Sequence, residues 1–203
     1  MSSLLNYDKA VYKKIKNLYP EVIFAAPENV FSENAKAHDG KVLLPFFGIW
    51  RLPDFTVNRD LYNDSYVRRG QARMSRGSDI EYPNQPVAMH GLPVSLQYQV
   101  DIYAHKRDVC DGLAAELLLE IYENPWVDVH QTDMGDFMQQ FNIDIDDNIV
   151  DNTSISEFSE TNRFYRLTAT LNMASAVIYR ISNVHMLDKI EVSLDDIYGE
   201  ESL

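Results

Sequence analysis

The sequence predicts an α+β domain: a mixed or mainly antiparallel sheet, a helix packed on one face, and a long arm-like insertion. Three stretches carry that prediction. In 94–102, Val94, Leu96, Tyr98, Val100 and Ile102 alternate strictly with Ser95, Gln97, Gln99 and Asp101, the period of a strand with one buried face. In 106–123 the period turns helical. Val109, Cys110, Leu113, Ala114, Leu117, Leu118, Ile121 and Tyr122 form a broad apolar face, expected to lie against the 94–102 strand. In 163–173, Tyr165, Leu167, Ala169, Leu171 and Met173 alternate with Phe164, Arg166, Thr168, Thr170 and Asn172, a second long strand.

Each element follows in order. Residues 4–18 predict an amphipathic helix: Leu4, Tyr7, Val11, Ile15 and Leu18 repeat at helical spacing, and Lys9, Lys13, Lys14 and Lys16 form a solvated face. Tyr19-Pro20 ends it, because a residue before proline is pushed out of the α region. Residues 22–26 read as a short strand and 27–40 as a polar loop. The apolar run 42–52 reads as a strand that is broken, bulged or at a sheet edge, since it contains Pro45 and Gly48. Residues 53–93 lack clean periodicity and are read as an insertion, an extended loop or arm or a hairpin; so long a loop in a compact domain is usually functional. Asn124-Pro125 stops the 106–123 helix, and 126–129 is a short strand. Phe141, Ile143 and Ile145 alternate with Asn142, Asp144 and Asp146, a strand with a polar outer face that runs into an acidic turn. Residues 176–181 continue the 163–173 strand past a bend or start a new one. Residues 188–203 form an acidic C-terminal tail. The chain of 203 residues is read as a single domain, able to bury roughly 70% of its unfolded surface.

The charge balance narrows the function classes. With 31 acidic against 18 basic residues the formal net charge is −13, which disfavours general binding to nucleic acid or an anionic membrane. Within 59–76, however, Arg59, Arg68, Arg69, Arg73 and Arg76 are opposed only by Asp60 and Asp64, a local charge of +3. Docking onto an acidic protein surface fits this segment, and a solvated loop is the simpler alternative; nucleic-acid contact is a third, without the interleaved aromatics of a stacking groove although Tyr62 and Tyr66 are nearby. A single cysteine, Cys110, excludes an intrachain disulfide and is expected to be a small buried hydrophobe. No signal peptide and no membrane-spanning run are expected.

No phosphate-binding loop, nucleophile elbow or zinc-protease motif occurs, and His38, His90, His105, His130 and His185 are scattered. No catalytic residue, cofactor or metal ligand is therefore assigned. The alternative of another class is a metal-dependent enzyme using Asp144 and Asp146, beside Asp147. Their D-x-D-D spacing lacks the glycine and distal glutamate of a calcium loop, and a solvated acidic turn accounts for it. On the 106–123 helix, Asp108, Glu116, Glu120 and Glu123 make a polar face with Leu119 among them. The i,i+4 pair Glu116/Glu120 repels by a few tenths of a kcal/mol when alone. A leucine ringed by carboxylates suits an arginine-bearing partner, so Arg68, Arg69, Arg73 and Arg76 are matched with Glu116, Leu119 and Glu120 as the two sides of an interface.

The run SLQYQVDIYAHKRDVCDGLAAELLLEIYENPWVDV, followed by SETNRFYRLTATLNM, resembles the tail-completion or tail-terminator (neck) proteins of tailed bacteriophages. In that family a long strand ending in a D-x-Y-A-like sequence feeds a helix that ends near N-P, and an arginine-rich, then alternating strand closes the sheet. The matching residues are 98–104, 113–125 and 163–173, and the resemblance covers about 80 of 203 residues. It implies a structural virion protein without enzymatic activity. It implies a homo-oligomeric ring, usually hexameric, that caps or joins the tail tube, assembled in the host cytoplasm. The partners it implies are further copies of the chain and neighbouring tube, sheath, neck or baseplate proteins, with no membrane and no direct nucleic-acid contact. A baseplate or other tail assembly component is the alternative within the same class.

Overall fold

Strand β5 (Pro86–Ala104) and strand β10 (Tyr165–Asn183) pair antiparallel over nearly their whole lengths and form the spine of the protein, in register Tyr98↔Leu171. The structure, a computed structural model, describes residues 4–19, 21–58, 67–71, 86–131, 137–153 and 164–183. Val94, Leu96, Tyr98, Val100 and Ile102 are all fully buried, each worth about 1.5–3 kcal/mol of transfer free energy. Leu167, Ala169, Leu171 and Met173 line the same face from β10.

On the other side of β5 lies β2 (Phe46–Arg51), antiparallel, with β1 (Val22–Phe24) parallel to it. Beyond β10 lie two short edge strands, β8 (Asp144–Ile145) and β9 (Val150–Asp151). The order β1-β2-β5-β10-β8 gives a mixed, mainly antiparallel sheet. With its helices it makes an α+β fold. β3 (Thr56–Val57) and β4 (Val67–Gln71) pair along the first half of β5.

Helices α1 (Leu4–Leu18) and α3 (Arg107–Glu123) contribute to one core with the period-two residues of β5. Tyr7, Val11 and Ile15, at i, i+4 and i+8, have no exposure, as the helical period requires. A separate two-stranded ribbon, β6 (Trp126–Gln131) with β7 (Phe137–Asn142), closes this core beside α1, with Phe141 edge-on to Tyr7 at 5.1 Å. A smaller core of Val30, Phe46, Tyr103 and Phe164 lies on the opposite face of the sheet, where Phe31 of α2 (Val30–Ala37) and the partly buried Ile23, Ala25 and Leu44 pack against it. Register sorts the two cores: Phe47↔Ile102 and Ile49↔Val100 go to the first, Phe46↔Tyr103 to the second.

Several expectations are corrected. Residues 27–40 are not a loop: α2 runs through them, and its buried Val30 and Asn34 make only one turn of apolar or satisfied contact, too short to show as a period. β2 is regular and interior, because Pro45 precedes the strand and Gly48 lies where α2 comes closest. A Cβ at Gly48 would sit 2.8 Å from Val30 Cγ2. Residues 86–93 belong to β5 rather than to a loop. Pro93 is tolerated there because its carbonyl accepts from Asn58 N at 3.0 Å, away from β10, so its missing N–H breaks no β5–β10 bond. Residues 67–71 pair with 86–90 as an antiparallel ribbon, to which 179–183 of β10 adds a third strand. The expected strand over 141–146 is divided between two sheets: it leaves β7 at Asn142, anchors Ile143 N to Pro125 O at 2.8 Å, and re-enters as β8.

β10 continues past Met173, as one of the two sequence readings had it, through a bulge between Met173 and Ala176. There the Tyr7 hydroxyl donates to Val177 O at 2.8 Å and accepts from Val177 N at 2.9 Å, capping the outer edge of the strand. The tail 188–203 and the loop 154–162 lie outside the described residues.

Candidate functional site

The face α3 turns away from the core is the site that sequence reasoning singled out, and it is built by three elements. Cys110, Ala114, Leu117 and Ile121 form the buried stripe, at i, i+4, i+7 and i+11. That stripe is narrower than the broad face expected. Leu113 and Leu118 are half-buried, while Val109 is 40% exposed, Leu119 59% and Tyr122 87%. Of the residues flanking that stripe, Leu113 and Leu118 pack along its border while Val109, Leu119 and Tyr122 face outward.

Glu116 and Glu120 do not repel each other across an empty face. Tyr19 OH donates to Glu116 Oε2 at 2.6 Å, and Lys14 Nζ bonds Glu120 Oε1 at 3.1 Å. Lys14 also donates to Asn124 O at 2.6 Å, satisfying a carbonyl at the end of α3. Lys14 is therefore not part of a solvated lysine face; its side chain is only 10% exposed. Burial, then the bond and charge of Glu116, hold the Tyr19 phenol protonated well above its ordinary range.

Beside Leu119 and Tyr122 runs a groove of about 400 Å3, with Leu118, Ile121 and Ile145 in its floor and Asp144, Asp146 and Asp147 on its rim. The three aspartates are exposed and lie on or just after an edge strand. Charge on a sheet edge obstructs pairing with another sheet, which is an ordinary structural use of such residues. Asp146 is engaged: its N donates to Thr170 O at 2.9 Å and its carboxylate accepts from Asn172 Nδ2. Among the described residues no group of three or more His, Cys, Asp or Glu is placed to hold a metal ion.

The arginine side of the expected interface is only partly in view. Arg68 and Arg69 fall in β4, paired with Met89 and Ala88, and Arg73 and Arg76 lie outside the described residues. β4 and the α3 groove are not brought together within one chain. β8 meets β10 at Leu171 and Asn172, whereas β4 meets β5 opposite Arg180 to Asn183.

A second titratable cluster was missed by sequence reasoning. Asp101 stands in the polar row of β5 yet is 3% exposed. It accepts from Arg166 Nη2 at 2.8 Å, Thr168 Oγ1 at 2.6 Å and Gln99 Nε2 at 2.9 Å. Arg166 lies over the Tyr103 ring at 5.7 Å. The available signal was Asp101 opposite Thr168, with Arg166 on the diagonal opposite Tyr103, and it becomes readable only once register is known. Cys110 is buried as expected, its Sγ 3.3 Å from Ile102 O, and burial pushes its thiol up to about 11. Such a thiol is inert at neutral pH.

The fold and site together define an α+β scaffold with an acid-rimmed apolar groove on its outer helix. The chain matches no protein-family model and no curated protein. Among the described residues no helix is long and apolar enough to cross a membrane.

Proposed function

We propose that this chain is a structural virion protein of a bacteriophage tail, forming a ring that terminates or joins the tail tube. The observation that supports this reading is the way the three resembling segments fold. Residues 98–104, 113–125 and 164–173 are separate in sequence but form one unit. β5 and β10 lie side by side in the sheet, α3 packs across them, and its last turn ends at Asn124. That unit leaves Leu119 and Tyr122 in water beside the groove, where a neighbouring subunit would cover them. In this reading the partners are further copies of the chain and adjoining tube, sheath or neck proteins.

The test has two parts. Negative-stain electron microscopy of the purified protein should show closed rings; particles that remain monomeric at all concentrations would remove the ring. Labelled protein should then mark the head-proximal end of the tail in intact virions, and label at the distal end would replace the terminator with a baseplate component. A magnesium- or manganese-dependent activity abolished by Asp144→Asn with Asp146→Asn would favour an enzyme instead.

A further inference from the structure

We infer that the α3–β8 groove receives helix α1 of a second copy of this chain, with the exposed lysines of that helix meeting the aspartates of the groove. The inference rests on the ring reading above and names the contact that joins neighbouring subunits.

The receptor has an apolar floor and an acidic rim. Glu116 and Glu120 are already engaged by Tyr19 and Lys14, and Asp146 is held by Asn172. The carboxylates left at the groove are Asp144 and Asp147, which have no ion-pair partner among the described residues. Tyr122, 87% exposed, forms a wall of the groove, and tyrosine is enriched at the centres of interfaces. Exposed ion pairs alone bind weakly. An occupant therefore needs cations beside an apolar side chain.

The outer face of α1 has that combination. Leu5, Lys9, Lys13 and Lys16 stand at i, i+4, i+8 and i+11, one stripe of the helix, and all four are exposed, Leu5 by 52%. Lys9 and Lys13 have no ion-pair partner among the described residues, and Lys16 Nζ lies over the Tyr12 ring at 5.4 Å. Every other lysine or arginine whose side chain is described is in an ion pair or, like Lys41 and Lys106, isolated. Among the described residues α1 is thus the surface where unpaired cations cluster, and charge complementarity matches it to the aspartate rim. An amphipathic helix laid in an apolar groove is a recurring mode of recognition. Here Leu5 meets Tyr122 and the groove floor, and the lysines reach the rim.

A chain cannot fill its own groove with its own α1. Successive residues of a helix are turned by about 100°, so Glu116 and Glu120 lie on one flank of the buried α3 stripe and Leu118 and Tyr122 on the other. α1 is fixed to the first flank through Tyr19 and Lys14, and the groove opens on the second. The body of α3 stands between them, and the lysine stripe faces away from the core that α1 shares with α3. Donor and receptor on different faces of one molecule give a heterologous contact, which propagates until rotation closes it into a ring.

The experiment is sedimentation velocity of the full chain, with circular dichroism to show that each variant is folded. Asp144→Lys with Asp147→Lys should lose the oligomer boundary, and so should Lys9→Glu with Lys13→Glu. An equimolar mixture of the two should restore it, because in an alternating assembly every junction again joins opposite charges. Leu5→Ser and Tyr122→Ala, both at exposed positions, should each weaken assembly with an unchanged spectrum. Arg68→Glu with Arg69→Glu should leave assembly intact. Assembly that survives the aspartate reversals would overturn the groove and leave the ring standing. Assembly that survives the lysine reversals, two defective variants that do not rescue each other, or a loss caused by the arginine reversals alone would overturn α1 as the occupant. A wild type that stops at a dimer, with rescue between the variants, would keep the α1 contact and remove the ring. A wild type that stays monomeric at every concentration would overturn both.

Discussion

Replacing Asp101 by alanine should destabilise the fold by about 3–5 kcal/mol, the cost of leaving one member of a buried ion pair without its partner. The magnitude follows from the surroundings. The Asp101 side chain is 4% exposed and that of Arg166 15%, so neither recovers full hydration when the other is removed. The loss is not symmetrical. Without Asp101, the Arg166 guanidinium keeps no acceptor for Nη2, and its buried Nε already has none. Without Arg166, Asp101 still accepts from Thr168 and Gln99, so Arg166→Met should cost less, about 1–3 kcal/mol. The double variant removes both charges from the same place and should cost less than the sum by about 0.5–3 kcal/mol. Total stability for a domain is about 5–15 kcal/mol, so these shifts are large on the scale of a urea transition. The assay is urea denaturation at constant slope, read as the midpoint of the four members of the cycle. Single-variant costs that add to within about 0.5 kcal/mol would refute the coupling of this pair.

Three further outcomes are expected. Leu117→Ala, at a fully buried position of α3, should cost about 2–5 kcal/mol; an unchanged unfolding midpoint would refute the facing of the helix. Burial raises the Asp8 carboxyl above its usual range, against the pull of Arg51 at 3.4 Å and the Tyr98 hydroxyl at 3.0 Å. The folded state therefore binds this proton more tightly than the unfolded chain does. Asp8's contribution is fully present below the ordinary value of about 3.9 and declines as pH rises through the folded value. Relative to Asp8→Asn, the wild type should lose stability over that interval, and parallel pH profiles for the two proteins would refute the shift. Cys110, whose thiol burial pushes up to about 11, should resist a thiol reagent at about pH 8 until denaturant is added, and native labelling at the unfolded rate would show that Cys110 is not buried.

Legible from the sequence alone were α1, α3, β5 from Val94 onward and β10 as far as Met173. Each has a long run of one period, and that period is a local property: every second residue of β5, every third or fourth of α1 and α3. The ends of those helices were legible too, because Tyr19-Pro20 and Asn124-Pro125 restrict the backbone on the spot. What the tertiary structure decided was which outward-facing groups stay outward. Asp101 looks like any polar residue in an alternating strand until the registers Gly48↔Asp101 and Thr168↔Asp101 bring a second core over it. Glu116, Glu120 and Lys14 each belong to a face that reads as solvated in its own helix, and they meet only because α1 and α3 pack on the same side of the sheet. The same packing leaves Tyr122 exposed although its helix pattern counts it as core. Periodicity assigns a residue to a face of its own element; whether that face is covered depends on partners distant in sequence, whose positions no local pattern encodes.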